Sequence, residues 1–186
     1  MIEHRGQRHA SGRTGFMAFF RNGRGNGGAL KHLCILAAVL AAMSGVSWAG
    51  EPKTVKPAPR DKCPVCGMFV AKYTDFLATI VFKDGSRAFF DGAKDLCKYY
   101  FNVRKYNPAK AVDQIAAIYV TDYYRLAPID GFKAYYVVGS DVYGPMGKEL
   151  IPFGDKADAE EFMRDHHGKT LLEFRKIDTA VIKDLD

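Results

Sequence analysis

From residue 76 onward, apolar and polar positions fall into blocks whose period changes from two to about three and a half. "FLATIVF", Phe76 to Phe82, is rich in β-branched and aromatic residues and predicts a strand. Asp84-Gly85 supplies a turn, and Arg87 to Phe90 the returning strand. Asp91 is placed to cap a helix, after which Ala93, Leu96, Cys97 and Tyr100 recur at i, i+3, i+4 and i+7 and predict one buried face. Beyond a polar connection, "NVRKYNPAK", Ile115 to Thr121 reads as another strand.

The same order then recurs. Ala134 to Val138 reads as a strand, "GSDVYGPMGK" as a long loop, and Glu149 to Phe153 as the return strand. A helix is expected over Asp155 to His167, capped by Asp155, ended by Gly168, with Ala159, Phe162, Met163 and His166 on its apolar face. Leu171 to Arg175 closes as a final strand. Phe90 and Phe153, Asp95 and Asp158, and Tyr99 and Phe162 share one spacing, so the second block echoes the first. The expected fold is α+β: two similar small ββαβ units over 63–125 and 130–180, each an antiparallel sheet covered by one helix.

Residues 1–49 differ in composition. Six basic residues against Glu3 precede an apolar run, "LCILAAVLAAMSGV", and "SWAG" offers small residues where a signal peptidase cuts. A signal peptide cleaved after Ala49 is expected, and the run is too short for a membrane-spanning helix. Residues 50–62, "GEPKTVKPAPRDK", carry three prolines and read as a flexible linker. Of 27 Lys+Arg and 21 Asp+Glu in the chain, six and one lie in the leader, so the remainder is close to neutral. The basic balance belongs to the leader and gives no ground for a nucleic-acid partner. The aromatic pairs at 99, 123 and 135 accordingly read as core and sheet-face residues.

Export makes the cysteines informative, because an oxidising compartment favours pairing, and an odd number, Cys63, Cys66 and Cys97, lies beyond the leader. "CPVCGM" places Cys63, Cys66 and Met68 within six positions. Soft thiolate and thioether donors suit Cu(I), whereas Ca²⁺ and Mg²⁺ require oxygen. The same pair serves equally as a disulfide or a redox couple. Met146, between turn residues in "YGPMGKELIPF", is expected to project from a loop, as an exposed soft donor or packed on an aromatic ring. Cys97 reads as a buried, inert thiol, and His166 as structural. His167 is a weaker candidate for a nitrogen donor.

Together "CPVCGMFV", "FKDGSRAFFDGAKDL" and "YGPMGKELIPFGDKADAEEF" resemble the NosL family, accessory proteins of nitrous oxide reductase maturation, over most of residues 61–178. The resemblance implies a periplasmic, non-enzymatic Cu(I) chaperone with two ββαβ units. It implies metal ligands Cys63, Cys66, Met68 and Met146, and copper exchange with partner proteins including an ABC-transporter-type assembly. Many members are lipoproteins, but neither "LKHLC" nor "PRDKC" fits a lipobox, so an ordinary cleavage is expected, and a soluble periplasmic protein or one held by an uncleaved leader. Two other readings stand beside it. One is a thiol-disulfide oxidoreductase using Cys63 and Cys66, although "CPVCGMFVAKY" leads into an apparent strand rather than a helix and only Lys62 is an adjacent cation. The other is an interaction module in which that pair is a structural disulfide. Carbon–mercury bond cleavage, suggested by fold likeness alone, is the remotest.

Overall fold

The computed structural model describes residues 55–186, which form seven strands and four α-helices. The first block gives β1 (Ala78–Phe82), β2 (Arg87–Phe90), helix α1 (Ala93–Phe101), a one-turn helix α2 (Val103–Tyr106) and β3 (Ile115–Thr121). A short β4 (Pro128–Asp130) completes a four-stranded antiparallel sheet in the order β2-β1-β3-β4. The second block gives β5 (Tyr135–Gly144), β6 (Gly147–Phe153), helix α3 (Lys156–Asp165) and β7 (Thr170–Glu173), with sheet order β6-β5-β7. A last helix, α4 (Thr179–Lys183), lies near the end of the chain. The two-sheet α+β arrangement is the one expected.

Several elements differ from the sequence reading. Phe76 lies in a 3₁₀ turn (Thr74–Phe76) closed by the Leu77 N–H on the Thr74 carbonyl, so β1 starts two residues late. "GSDVYGPMGK" is not a long loop. It is the end of a β5–β6 hairpin in which Gly144 pairs with Gly147 across Pro145-Met146, after an irregularity in register between Val138 and Tyr143. Helix α3 is capped as expected, by the Asp155 carboxylate on the Ala157 N–H, but it stops at Asp165. His167, with φ +55°, takes the left-handed position expected of Gly168. β4 and α4 have no counterpart in the sequence reading, being too short to show a period.

The expected signal peptide, 1–49, and the first part of the linker, 50–54, lie outside the described residues. The linker's last residues are tied down: Asp61 turns back onto Ala58, and Lys62 makes an isolated bridge with Phe69.

The alternation along the second sheet sets the architecture. Tyr136, Val138, Leu150 and Leu172 face the apolar cluster built on α1 and the first sheet, while Tyr135, Val137, Ile151 and Leu171 face a second cluster with Phe162 of α3. Helix α1 is thus buried on more than the predicted stripe. Leu96, Cys97 and Tyr99 are core residues, Tyr100 is half-buried against Phe174 at 5.1 Å, and even Lys94 and Asp95 are inaccessible.

Candidate metal centre

The segment Cys63–Met68 is a tight turn. The Gly67 N–H donates to the Cys63 carbonyl (2.9 Å) and the Cys63 N–H to the Met68 carbonyl (2.9 Å). Gly67 adopts φ +80°, a conformation costly for a residue with a Cβ. The Lys62–Phe69 bridge and the Val70 N–H on the Asp61 carbonyl close the neck of the turn. The chain then enters a 3₁₀ turn, Val70–Lys72, rather than the expected strand, so neither cysteine sits at an α-helix N-terminus.

The turn points both thiols at the start of α1. Cys66 donates to Asp91 Oδ1 (3.2 Å) and Cys63 to Asp95 Oδ2 (3.3 Å), and the donor atoms of all four residues lie within 4.8 Å of one another. Both carboxylates are buried, Asp91 at 1% exposure and Asp95 at 3%. Asp91 Oδ2 has no hydrogen-bond partner among the described residues, which is costly for a buried oxygen unless a cation or further donor reaches it. Cys63, Cys66 and Cys97 are free thiols. Burial, seconded by the neighbouring carboxylates, pushes the Cys66 thiol up to about 12 and Cys63 higher still. A redox-active cysteine needs the opposite shift. Lys62, the cation considered for that role, lies over the Phe69 ring at 5.1 Å.

The expectation that Asp91 caps α1 fails. The N-cap is Gly92, in extended conformation, and no side chain of its own caps the helix. Glu149 reaches across from β6 instead, its Oε1 accepting the N–H of Lys94 (2.5 Å) and of Leu150 (2.9 Å). A Cβ at Gly92 would collide with Glu149 Oε2, so glycine is what admits this carboxylate. Capping from 55 residues away leaves Asp91 free to face Cys66.

Met68 is half-buried on the cysteine turn. Met146 is 44% exposed at the hairpin end, and its carbonyl accepts from Lys94 Nζ (2.8 Å), which anchors that end to the first turn of α1, the turn carrying Asp95. Neither histidine joins the cluster: His166 stacks on Phe162 (ring centroids 4.4 Å apart) and pairs with Asp141 (3.0 Å). Cys97 is buried at 1% exposure, its thiol raised by burial and by the Glu149 charge, as befits an inert core residue. Sequence reasoning missed both aspartates. The available signal was two acids four apart, one of them on a helix otherwise read by its apolar stripe.

Two thiols and two buried carboxylates gathered at the start of α1, all from the first unit, make up the donor set of a metal-binding protein on a two-sheet α+β fold. The sequence model of the NosL family matches residues 54–182, and the chain belongs to that family. It is 30% identical over 164 residues to the copper-binding lipoprotein NosL of Stutzerimonas stutzeri, covering 80% of this chain and 82% of the relative. It is also similar to the crystal structure of the copper chaperone NosL from Shewanella denitrificans, with a TM-score of 0.56 and 27% identity over 69% of this chain and 98% of that one.

Proposed function

We propose that this protein is a non-enzymatic Cu(I) carrier of the periplasm, exported by residues 1–49 and cut after Ala49. The observation that carries the reading is the pair of free thiols, Cys63 and Cys66, gathered with two buried carboxylates so that all four ligand atoms lie within 4.8 Å of one another. Cu(I) takes few, soft ligands, and two thiolates supply them, with Met68 from the same turn and Met146 from the hairpin as thioether donors. Binding through both sulfurs forms two Cu–S bonds and releases the two thiol protons. The thioethers, carrying no charge and no proton, are the ligands most readily replaced by those of an incoming partner. Copper then passes by ligand exchange to copper-accepting periplasmic proteins, including an ABC-transporter-type assembly that builds the copper centres of nitrous oxide reductase. The names of the two relatives support the metal and the carrier role. The raised thiols and the absence of a helix start at either cysteine weigh against a thiol-disulfide oxidoreductase.

Anaerobic titration of the reduced protein with Cu(I) against a competing chelator tests the reading. Tight one-to-one binding, lost in Cys63→Ser/Cys66→Ser, is expected. No binding by the unsubstituted protein would leave a structural or redox role for the pair.

A further inference from the structure

Lys94 is the one lysine buried among the described residues, at 2% exposure. Lysine ordinarily keeps its ammonium in water, so burial requires partners that replace hydration. Here Nζ donates to the carbonyls of Met146 (2.8 Å) and Leu185 (3.2 Å) and lies 3.9 Å from the Asp186 carboxylate. Its backbone N–H is one of the two that Glu149 accepts. One residue of the first turn of α1 therefore holds the hairpin from two sides: the side chain grips its end, and the main chain grips β6 three residues further on.

Beyond its own Tyr143–Lys148 and Gly144–Gly147 pairing, the hairpin end stands clear of the core. Tyr143 is 65% exposed and Met146 44% exposed, and the β5–β6 pairing is interrupted before Tyr143. Without an anchor, the Met146 thioether would sweep a volume set by that exposed turn. We propose that Lys94 is a positioning residue for Met146, its ammonium fixing the turn so that the thioether is presented to the thiol pocket beside Asp95. This rests on the reading of Met146 as a copper donor.

A double-mutant comparison tests both separately. Cu(I) affinity is measured by chelator competition for the unsubstituted protein, Met146→Ala, Lys94→Leu and the double variant, and sulfur neighbours of copper are counted by X-ray absorption; leucine brings no sulfur of its own. Outer partners of metal ligands typically contribute about 10- to 100-fold in affinity, so Lys94→Leu should cost at least about tenfold. The double variant should be no weaker than Met146→Ala alone, and the sulfur count should fall by the same amount in both single variants. If Met146→Ala weakens binding and Lys94→Leu does not, the positioning role is wrong while the copper reading survives. Losses that multiply in the double variant, or an unchanged sulfur count in Lys94→Leu, would show that Lys94 acts only on the fold. An unchanged affinity in Met146→Ala would remove Met146 from the site and the proposal with it. Should Lys94→Leu fail to fold, Lys94→Gln, with N–H donors on a shorter stem, carries the same comparison.

Discussion

Glu149→Gln should make the protein more stable at pH 8 and leave it unchanged near pH 4. The Glu149 side chain is buried at 3% residue exposure and accepts two backbone N–H bonds through Oε1. Burial pushes its carboxyl from an ordinary 4.5 up to about 7. The bonds from Leu150 and Lys94 and the Lys94 charge pull the other way, and the Asp95 charge adds to the rise; the Glu149 charge in turn raises the Cys97 thiol. Because the folded value exceeds the unfolded one, the native state holds more protons between pH 4.5 and 7. Stability from this group is thus greatest below about 4.5, declines as pH rises to about 7, and is flat beyond. At about 1.4 kcal/mol per pH unit, the decline is on the order of 3 kcal/mol, or roughly 10 °C in melting temperature. Glutamine keeps an oxygen for the same two N–H groups and cannot ionise. Urea unfolding of both proteins at pH 4, 5, 6, 7 and 8 should give curves that meet at the acid end and separate upward. A constant difference across that range, or a variant less stable at pH 8, would refute the reasoning and mean that the bonds to Lys94 and Leu150 outweigh burial.

The same carboxylate governs Gly92. Gly92→Ala drives a methyl into Glu149 Oε2 and should cost about 1–3 kcal/mol, measured by urea unfolding, with a smaller loss when Glu149 is also alanine. The thiols give a kinetic prediction: iodoacetamide at pH 8 should modify Cys63, Cys66 and Cys97 slowly in the folded protein and all three quickly in urea, followed by mass spectrometry. Rapid modification of Cys66 alone in the folded state would restore the oxidoreductase reading.

The chain discloses in advance whatever depends on neighbours in sequence. The β1–β2 hairpin comes from alternating residues around Asp84-Gly85, and the start of α3 from Asp155, whose carboxylate meets a backbone N–H two residues on. Asp91 carries the same local signal as Asp155 and does something else, because the group that caps α1 arrives from β6 and no local rule can register it. The carboxylate half of the pocket was hidden by that same event. Glycines and a proline around Met146 read as a loop, yet cross-strand pairing as far as Gly144 and Gly147 makes them a hairpin, again by contacts along a strand not evident in the local pattern. The cysteines and Met68 were legible because one short turn gathers them.

Helix α1, in the cluster that takes in residues from both sheets, ties the two echoing halves together through one shared core. A repeat whose copies each kept a private core could be separated, shuffled or lengthened like beads. Here the seam has been absorbed into the interior, and the first half contributes a helix whose far side finds cover only on the second. The symmetry in the order of elements is therefore one of pattern rather than of separable modules: the first half cannot close its core without residues of the second.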